Sequence, residues 1–358
     1  MSATAAPAGP LSGLLAHPGA AAVRRLSANA WGAGMLEAGI GYEAWLRAQR
    51  RLADGALASA TGRRTVAQRR RAGERSARAR LAPNRHASGR RAPVVHWHGP
   101  DRVRPGRSTV ILVNGWAASG LVWPQALIER LERYADVVRI DNRGSGWSRT
   151  APAPFTIGDL ADDVAAVARA VGARRATVVG LSMGGMVAQE AALRHPGLVE
   201  RLVLLGTRPA APAGFAAAPG VIEGLVAPVC PGESARGHLA RTWTSLTGPG
   251  FAERHPDRIA ELVSQVLARP TPMAGVVDQL RAIAAWYGSG RLARLGRPGR
   301  SPVPAVVVHG AADRLIPVGN GMRLAQLVAG ARYVELPGVG HLVPYEAPDA
   351  VEAAVLGG

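Results

Sequence analysis

Gly180-Leu181-Ser182-Met183-Gly184 joins an apolar run, Ala176–Leu181, to an alanine-rich run over 183–195. Glycines two before and two after a serine let a strand turn sharply into a helix and lift the serine hydroxyl clear of a sheet. A strand that feeds a helix in this way is the building unit of a parallel sheet. A serine hydroxyl is a weak nucleophile unless a base is held against it. If the junction is catalytic, the rest of the chain must supply a base, an acid and an oxyanion hole.

Short apolar runs alternate with helical patterns from about residue 93. Val94–His98 reads as a short strand, and 109–113 as a strand buried on both faces. A helix over 123–133 and a strand over 137–140 follow. Thr156 caps a helix that reaches Val171, with Asp159, Asp162 and Asp163 in its early turns. Strands at Ala176–Leu181 and Val199–Leu205 bracket the helix over 183–195. The rhythm stops at Thr207. It resumes with a strand over 305–308, a helix over 320–329, a strand at Arg332–Leu336 and a last helix after Pro348. This pattern predicts an α/β fold, a mostly parallel sheet with helices on both faces. Residues 93–207 and 301–358 form its core. Residues 208–300 hold Pro/Gly turns and helical patches without a buried strand, and read as a helical cap. No fixed-period repeat is present.

Groups that act on ligands in open parallel sheets gather at the carboxyl ends of the strands. Asp313 follows the strand over 305–308, and His341 follows Arg332–Leu336. In the order Ser182, Asp313, His341, the histidine takes the serine proton. Asp313 holds the imidazole in the right tautomer and stabilises its charged form. The N–H of Met183, next after the nucleophile, is one oxyanion donor.

From about residue 93 to its end the chain resembles the α/β-hydrolase superfamily. Four motifs carry the resemblance in register: Asn114-Gly115-Trp116, Asp141-Asn142-Arg143-Gly144-Ser145-Gly146-Trp147-Ser148, the Ser182 elbow, and the Asp313 and His341 loops. The resemblance implies the α/β-hydrolase fold with a cap insertion, the Ser182–Asp313–His341 triad, and no cofactor or metal. It also implies a second oxyanion donor, the N–H of Trp116. The family commonly has His-Gly where this chain has Asn114-Gly115, which takes away the usual support of that loop. Relatives such as haloalkane dehalogenases and epoxide hydrolases place Asp at the elbow. Serine suits attack on an acyl carbonyl instead. Asn114-Gly115, Asp313-Arg314-Leu315-Ile316-Pro317 and Met322-Arg323-Leu324 resemble intracellular medium-chain polyhydroxyalkanoate depolymerases. Asn114 and the 141–148 segment are also similar to 3-oxoadipate enol-lactonases.

His309 is the alternative base at a strand end, although it resembles the family's structural strand-end position. His96, His98, His195, His238 and His255 are expected on the surface or in packing, without metal-ligand spacing to another His or acidic cluster. Asp141 is expected to hold a turn near the oxyanion loop. The glycine-rich 141–148 segment lacks the Lys-Ser/Thr of a phosphate-binding loop.

The predicted reaction is hydrolysis of a carboxylic ester, lactone or polyester with an apolar acyl group, through an acyl-enzyme on Ser182. Trp116, Trp243, Trp286 and Tyr287, with Phe251 and Met273, are candidates to line the substrate pocket. The competing expectation puts most of them in the cap's own core. Acyl transfer or C–C bond hydrolysis on the same triad is a rival. A non-catalytic binding protein working through an Arg-rich arm is another, and the intact Ser182, Asp313 and His341 argue against it.

That arm is residues 1–92. All 43 basic residues of the chain are Arg, and the formal net charge is +18. Residues 62–91 alone carry 11 Arg against one Glu. The run reads as a solvated linker that can touch an anionic surface. It lacks the interleaved aromatics of a base-stacking surface, which weighs against nucleic acid. A helix over 31–58 has an irregular apolar face and either docks on the core or lies on a membrane or lipid particle. Cys230 is the only cysteine, so no intrachain disulfide forms. No secretory leader or spanning apolar stretch is evident, and a cytoplasmic enzyme is expected, peripheral to a membrane or lipid particle if the helix binds one.

Overall fold

The computed structural model describes residues 81–83, 94–148, 154–221, 225, 230, 232–271, 273–296 and 303–357. The helix expected at 31–58 and most of the Arg-rich run lie outside them.

Eight strands form one sheet in the order β1-β2-β4-β3-β5-β6-β7-β8. They are β1 (Leu81–Pro83), β2 (Val94–His98), β3 (Ser108–Val113), β4 (Ala135–Ile140), β5 (Ala176–Leu181), β6 (Val199–Leu205), β7 (Ala305–Gly310) and β8 (Arg332–Leu336). β1 pairs antiparallel with β2 and β2 antiparallel with β4; all other pairs are parallel. The strand at Leu81–Pro83 corrects the reading of the whole 62–91 run as linker. Three residues are too few to show a period, and Pro83 disguises them. An edge position tolerates the missing proline N–H.

Each buried strand feeds two cores because its side chains alternate. Ile111 and Val113 of β3 join α2 (Ile157–Val171) and α3 (Met183–Arg194) on one face. Val110 and Leu112 join α1 (Gln125–Glu132) and α10 (Pro348–Leu356) on the other. Thr156 caps α2 by accepting the Asp159 N–H at 3.1 Å, while the Asp159 carboxylate accepts the Thr156 N–H at 2.8 Å. A cap of this kind contributes about 1 kcal/mol.

Between β6 and β7 the chain leaves the sheet. It forms α4 (Ala235–Thr244), α5 (Phe251–Arg254), α6 (Pro256–Ala268), α7 (Met273–Ala284) and a 3-10 segment, Ser289–Gly296. Leu239, Leu246, Phe251, Ile259, Leu262 and Val263 give this cap its own apolar cluster, which also takes in Leu342 and Tyr345 of the core. The helix after β7 is α8 (Gly319–Leu327), and α9 (Val343–Glu346) precedes the last helix.

Candidate active site

The elbow at the end of β5 is strained in the way its glycines foretell. Ser182 has φ 56° and ψ −121°, a region that residues with a Cβ rarely enter. The turn survives because its neighbours lack side chains. A Cβ on Gly180 would lie 2.2 Å from the Gly184 carbonyl oxygen, and one on Gly184 would lie 2.0 Å from that of Val113. The Ser182 N–H donates to the Leu205 carbonyl at 3.0 Å, and the Thr207 hydroxyl donates to the Ser182 carbonyl at 2.7 Å.

Asp313 and His341 come from the loops after β7 and β8. His341 Nδ1 lies 2.7 Å from Asp313 Oδ2. An ionised carboxylate can only accept, so Nδ1 carries the proton and Nε2 keeps its lone pair. Asp313 Oδ1 accepts the N–H groups of Leu315 at 3.0 Å and Ile316 at 2.8 Å. Burial alone would raise the Asp313 pKa, but His341 and His309 outweigh it and hold the carboxyl down at about 2. His309 is fully buried; its Nε2 donates to the Ile316 carbonyl at 2.7 Å and lies 3.5 Å from Asp313 Oδ2. It therefore stands behind the acid, and the cavity is lined by His341 instead.

β3 lies beside β5, so the loop 114–120 stands next to Ser182. A Cβ on Gly115 would sit 3.2 Å from the Ser182 Cβ. Asn114 supplies the support that the missing histidine left open. Its Oδ1 accepts the Gly115 N–H at 2.8 Å, and its Nδ2 donates to the carbonyls of Ser119 at 3.1 Å and Val122. Trp116 follows on this loop, and Met183 opens α3, where the first N–H groups of a helix have no intrahelical acceptor.

Asp141, as its turn motif suggests, holds this region together. Its Oδ1 accepts the Gly120 N–H at 2.7 Å and its Oδ2 the Trp147 N–H at 2.9 Å. The same two oxygens contact His98 Nε2 at 3.1 Å and His96 Nδ1 at 2.9 Å. The expectation that these histidines stand apart from any acidic cluster is thereby corrected. Residues two apart on β2 face the same way, and antiparallel pairing with β4 brings Asp141 opposite them. Among the described residues this is the one group of three that could surround a metal ion. Four nitrogen donors already occupy both carboxylate oxygens, while His96 Nε2 is buried without a hydrogen-bond partner. Burial raises the Asp141 pKa, yet His98 and His96 carry it well below the usual carboxylate range. Burial pushes His98 down.

Ser182 and His341 face a cavity of about 140 Å³ under the cap. Leu225, Leu239, Trp243, Leu246, Leu262 and Val266 wall it from the cap, and Trp116, Val122, Leu315 and Leu342 from the core. No Arg, Asp or Glu is among the described lining residues. Trp116 and Trp243 thus line the cavity. Trp286 and Tyr287 do not, and the expectation for them is corrected. The Trp286 indole donates to the buried Glu190 at 2.9 Å, and Glu190 also holds Arg291. Tyr287 bridges to Ala211, where the chain leaves the sheet. Trp286 thus belongs to the seam between cap and α3. Phe251 lies in the cap's own cluster; the Met273 side chain is outside the described residues. His195 pairs with Asp162 at 2.7 Å, His238 is buried beside Glu233, and His255 packs on Phe251.

A family model described as alpha/beta hydrolase fold matches residues 108–348. The chain belongs to the α/β-hydrolase family. The 3-oxoadipate enol-lactonase 2 of Acinetobacter baylyi is 28% identical over 250 residues, covering 70% of this chain and 87% of the relative. A protein of Caulobacter sp. (strain K31) assigned as carbamate hydrolase RutD is 38% identical over 100 residues, 28% of this chain. The chain spans 37% of that relative's length. The enol-lactonase structure from Burkholderia xenovorans LB400 superposes with a TM-score of 0.60 at 28% identity, covering 74% of this chain and 96% of that one.

Sequence reasoning did not single out Gln279, Thr271 or Glu346, all of which touch the loops described above. Their partners are mostly backbone groups far away in sequence, and no local spacing marks such contacts. Among the described residues, no helix is long and apolar enough to cross a membrane.

Proposed function

We propose that the protein hydrolyses a neutral carboxylic ester or lactone with a compact apolar acyl group, through an acyl-enzyme on Ser182. One observation carries this reading: Ser182 and His341 line the same uncharged cavity, and His341 Nδ1 is held by Asp313 at 2.7 Å. His341 Nε2 takes the proton as Ser182 Oγ attacks the acyl carbonyl, and the charge on the carbonyl oxygen falls to the N–H groups of Trp116 and Met183. Collapse expels the alkoxide, which leaves with the proton from His341. Water then attacks the acyl-enzyme, gives its proton to His341, and Ser182 regains it as the acid departs.

The cavity supports a compact acyl group. Its volume is on the scale of the ~150 Å³ cavity that takes up benzene. An acyl chain of about six carbons fits with the cap in place. Adipate is a dicarboxylate, so an enol-lactone of 3-oxoadipate keeps a free carboxylate. The described lining offers that group no Arg or Lys. This favours neutral acyl groups over the substrate in the Acinetobacter relative's name.

Purified protein should turn over p-nitrophenyl acyl esters and be labelled by a fluorophosphonate, and Ser182→Ala should do neither. Turnover that survives Ser182→Ala would falsify the mechanism. Resistance of the wild type to both reagents would favour a binding protein on a hydrolase fold. Preferential transfer to an added alcohol, or cleavage of a C–C substrate with no ester turnover, would favour the rivals on the same triad.

A further inference from the structure

The cap does more than cover the cavity. α7 is built onto the loop that carries Trp116. Ala117, the next residue, has φ 58°, a left-handed conformation that is costly for a residue with a Cβ. Both of its backbone polar groups are held by cap side chains. Its N–H donates to Gln279 Oε1 at 2.9 Å, and its carbonyl accepts the Thr271 hydroxyl at 2.8 Å. Gln279 is fully buried, and its Nε2 donates to the Arg143 carbonyl at 2.8 Å. One amide therefore ties two core loops, 114–120 and 141–148, to the same cap helix. The Trp116 indole adds a bond to the Val276 carbonyl at 2.9 Å. Closeness is enforced by glycine, since a Cβ on Gly275 of α7 would lie 2.1 Å from the Gly144 carbonyl oxygen.

We infer that Gln279 and Thr271 are positioning residues for the reaction on Ser182. They fix the strained Ala117 peptide and so aim the neighbouring Trp116 N–H at the oxyanion. The inference rests on the acyl-enzyme reading above. Asn114 fixes the peptide on one side of Trp116 through Gly115, at 2.8 Å, and Gln279 fixes it on the other through Ala117. If the cap side were released, Ala117 could relax toward ordinary φ values and the Trp116 N–H would swing with it. A donor aimed at a charge that develops only in the transition state affects kcat rather than substrate binding. Loss of one oxyanion donor costs about 10²–10³ in rate, and a misaimed donor keeps part of that.

The test uses the full chain. Gln279→Met keeps the volume and removes both hydrogen bonds. Thr271→Val keeps the shape and removes the hydroxyl, and Thr271→Ser restores it. Ile259→Val trims the cap core away from the loop and the cavity. We expect Gln279→Met and Thr271→Val to lower kcat about 10- to 100-fold with KM within about twofold. Inhibition by an alkyl boronic acid, which mimics the tetrahedral intermediate, should weaken by a matching factor. Thr271→Ser should regain most of the rate, and Ile259→Val should lower thermal stability with kcat unchanged. If Gln279→Met does not fold, the Thr271 pair decides alone. Wild-type kcat and boronate affinity in a folded Thr271→Val overturn the inference. So does a fall in kcat that Ile259→Val reproduces. Ser182→Ala is measured alongside: turnover retained there removes the acyl-enzyme reading and this inference together, whereas turnover lost there with unaltered Thr271→Val kinetics removes the positioning role alone.

Discussion

Glu346 accepts the amide hydrogen of Gly340 across 2.9 Å, so a half-buried carboxylate fixes the residue that precedes His341. The same carboxylate accepts the N–H of Leu342 at 3.0 Å on the other side of the histidine and that of Gly248 in the cap at 2.7 Å. Burial raises its pKa, and the three amide donors oppose that rise. Glu346→Ala leaves these N–H groups without an acceptor. An unpaired buried donor costs about 1–3 kcal/mol. A loss of at least that size is expected in urea unfolding, together with a fall in kcat as the His341 loop loosens. Unchanged stability would show that water replaces the carboxylate.

Acid should unfold the protein partly through its buried carboxylates. The Asp141 and Asp313 pKa values are depressed in the folded state, the second to about 2. An unfolded Asp titrates at about 3.9, so the unfolded chain binds more protons in this range. The stabilisation is complete above about pH 5, and it is lost as the pH falls through 4 toward 2. Chemical denaturation from pH 7 to pH 3 should show falling stability. Asp141→Asn should flatten that dependence while lowering stability at pH 7. A parallel dependence in wild type and variant would refute the assignment.

Acyl preference should follow Trp243 and ignore Trp286. Trp243→Ala opens the cavity and should move the optimum of a C2–C12 ester panel to longer chains by about two to four carbons, at about 0.8 kcal/mol per buried methylene. Trp286→Phe removes the bond to Glu190 and part of a buried ring, and should leave the chain-length profile in place with a lower melting temperature. A profile that moves with Trp286 would place that residue at the substrate after all.

Arg143 and Asp163 form a bidentate pair with both side chains about 2% exposed. Removing one partner of such a pair strands the other charge and costs about 3–5 kcal/mol. Asp163→Leu should therefore destabilise strongly, and the double variant Arg143→Met/Asp163→Leu should recover much of the loss. Equal destabilisation of single and double variants would show that the pair's value lies in its shape alone.

The sheet was legible because most of its strands hold apolar runs that alternate with helical patterns. Ala176–Leu181, Val199–Leu205 and Arg332–Leu336 begin and end where the alternation places them. The candidate residues Ser182, Asp313 and His341 were legible for the same reason, since each lies in the segment that follows a strand. The aromatic residues of the cap were harder to place. Trp243 and Trp286 look alike in sequence, and only the turn of α4 and the buried Glu190 send one to the cavity and the other to a seam. His96 and His98 carry the period of a strand, but their partner is 45 and 43 residues away and reaches them through sheet pairing.

The absence of Arg, Asp and Glu from the described cavity wall bears on how a catalytic cycle ends. The proposed hydrolysis turns a neutral guest into an anion. Surrounded by leucine, valine and tryptophan, that anion has no fixed counter-ion once His341 has returned its proton to Ser182. Bulk water solvates it far better than the pocket does. Under the proposed reaction the acid product is therefore driven out, and accumulated carboxylic acid should be a feeble inhibitor even where the parent ester binds well.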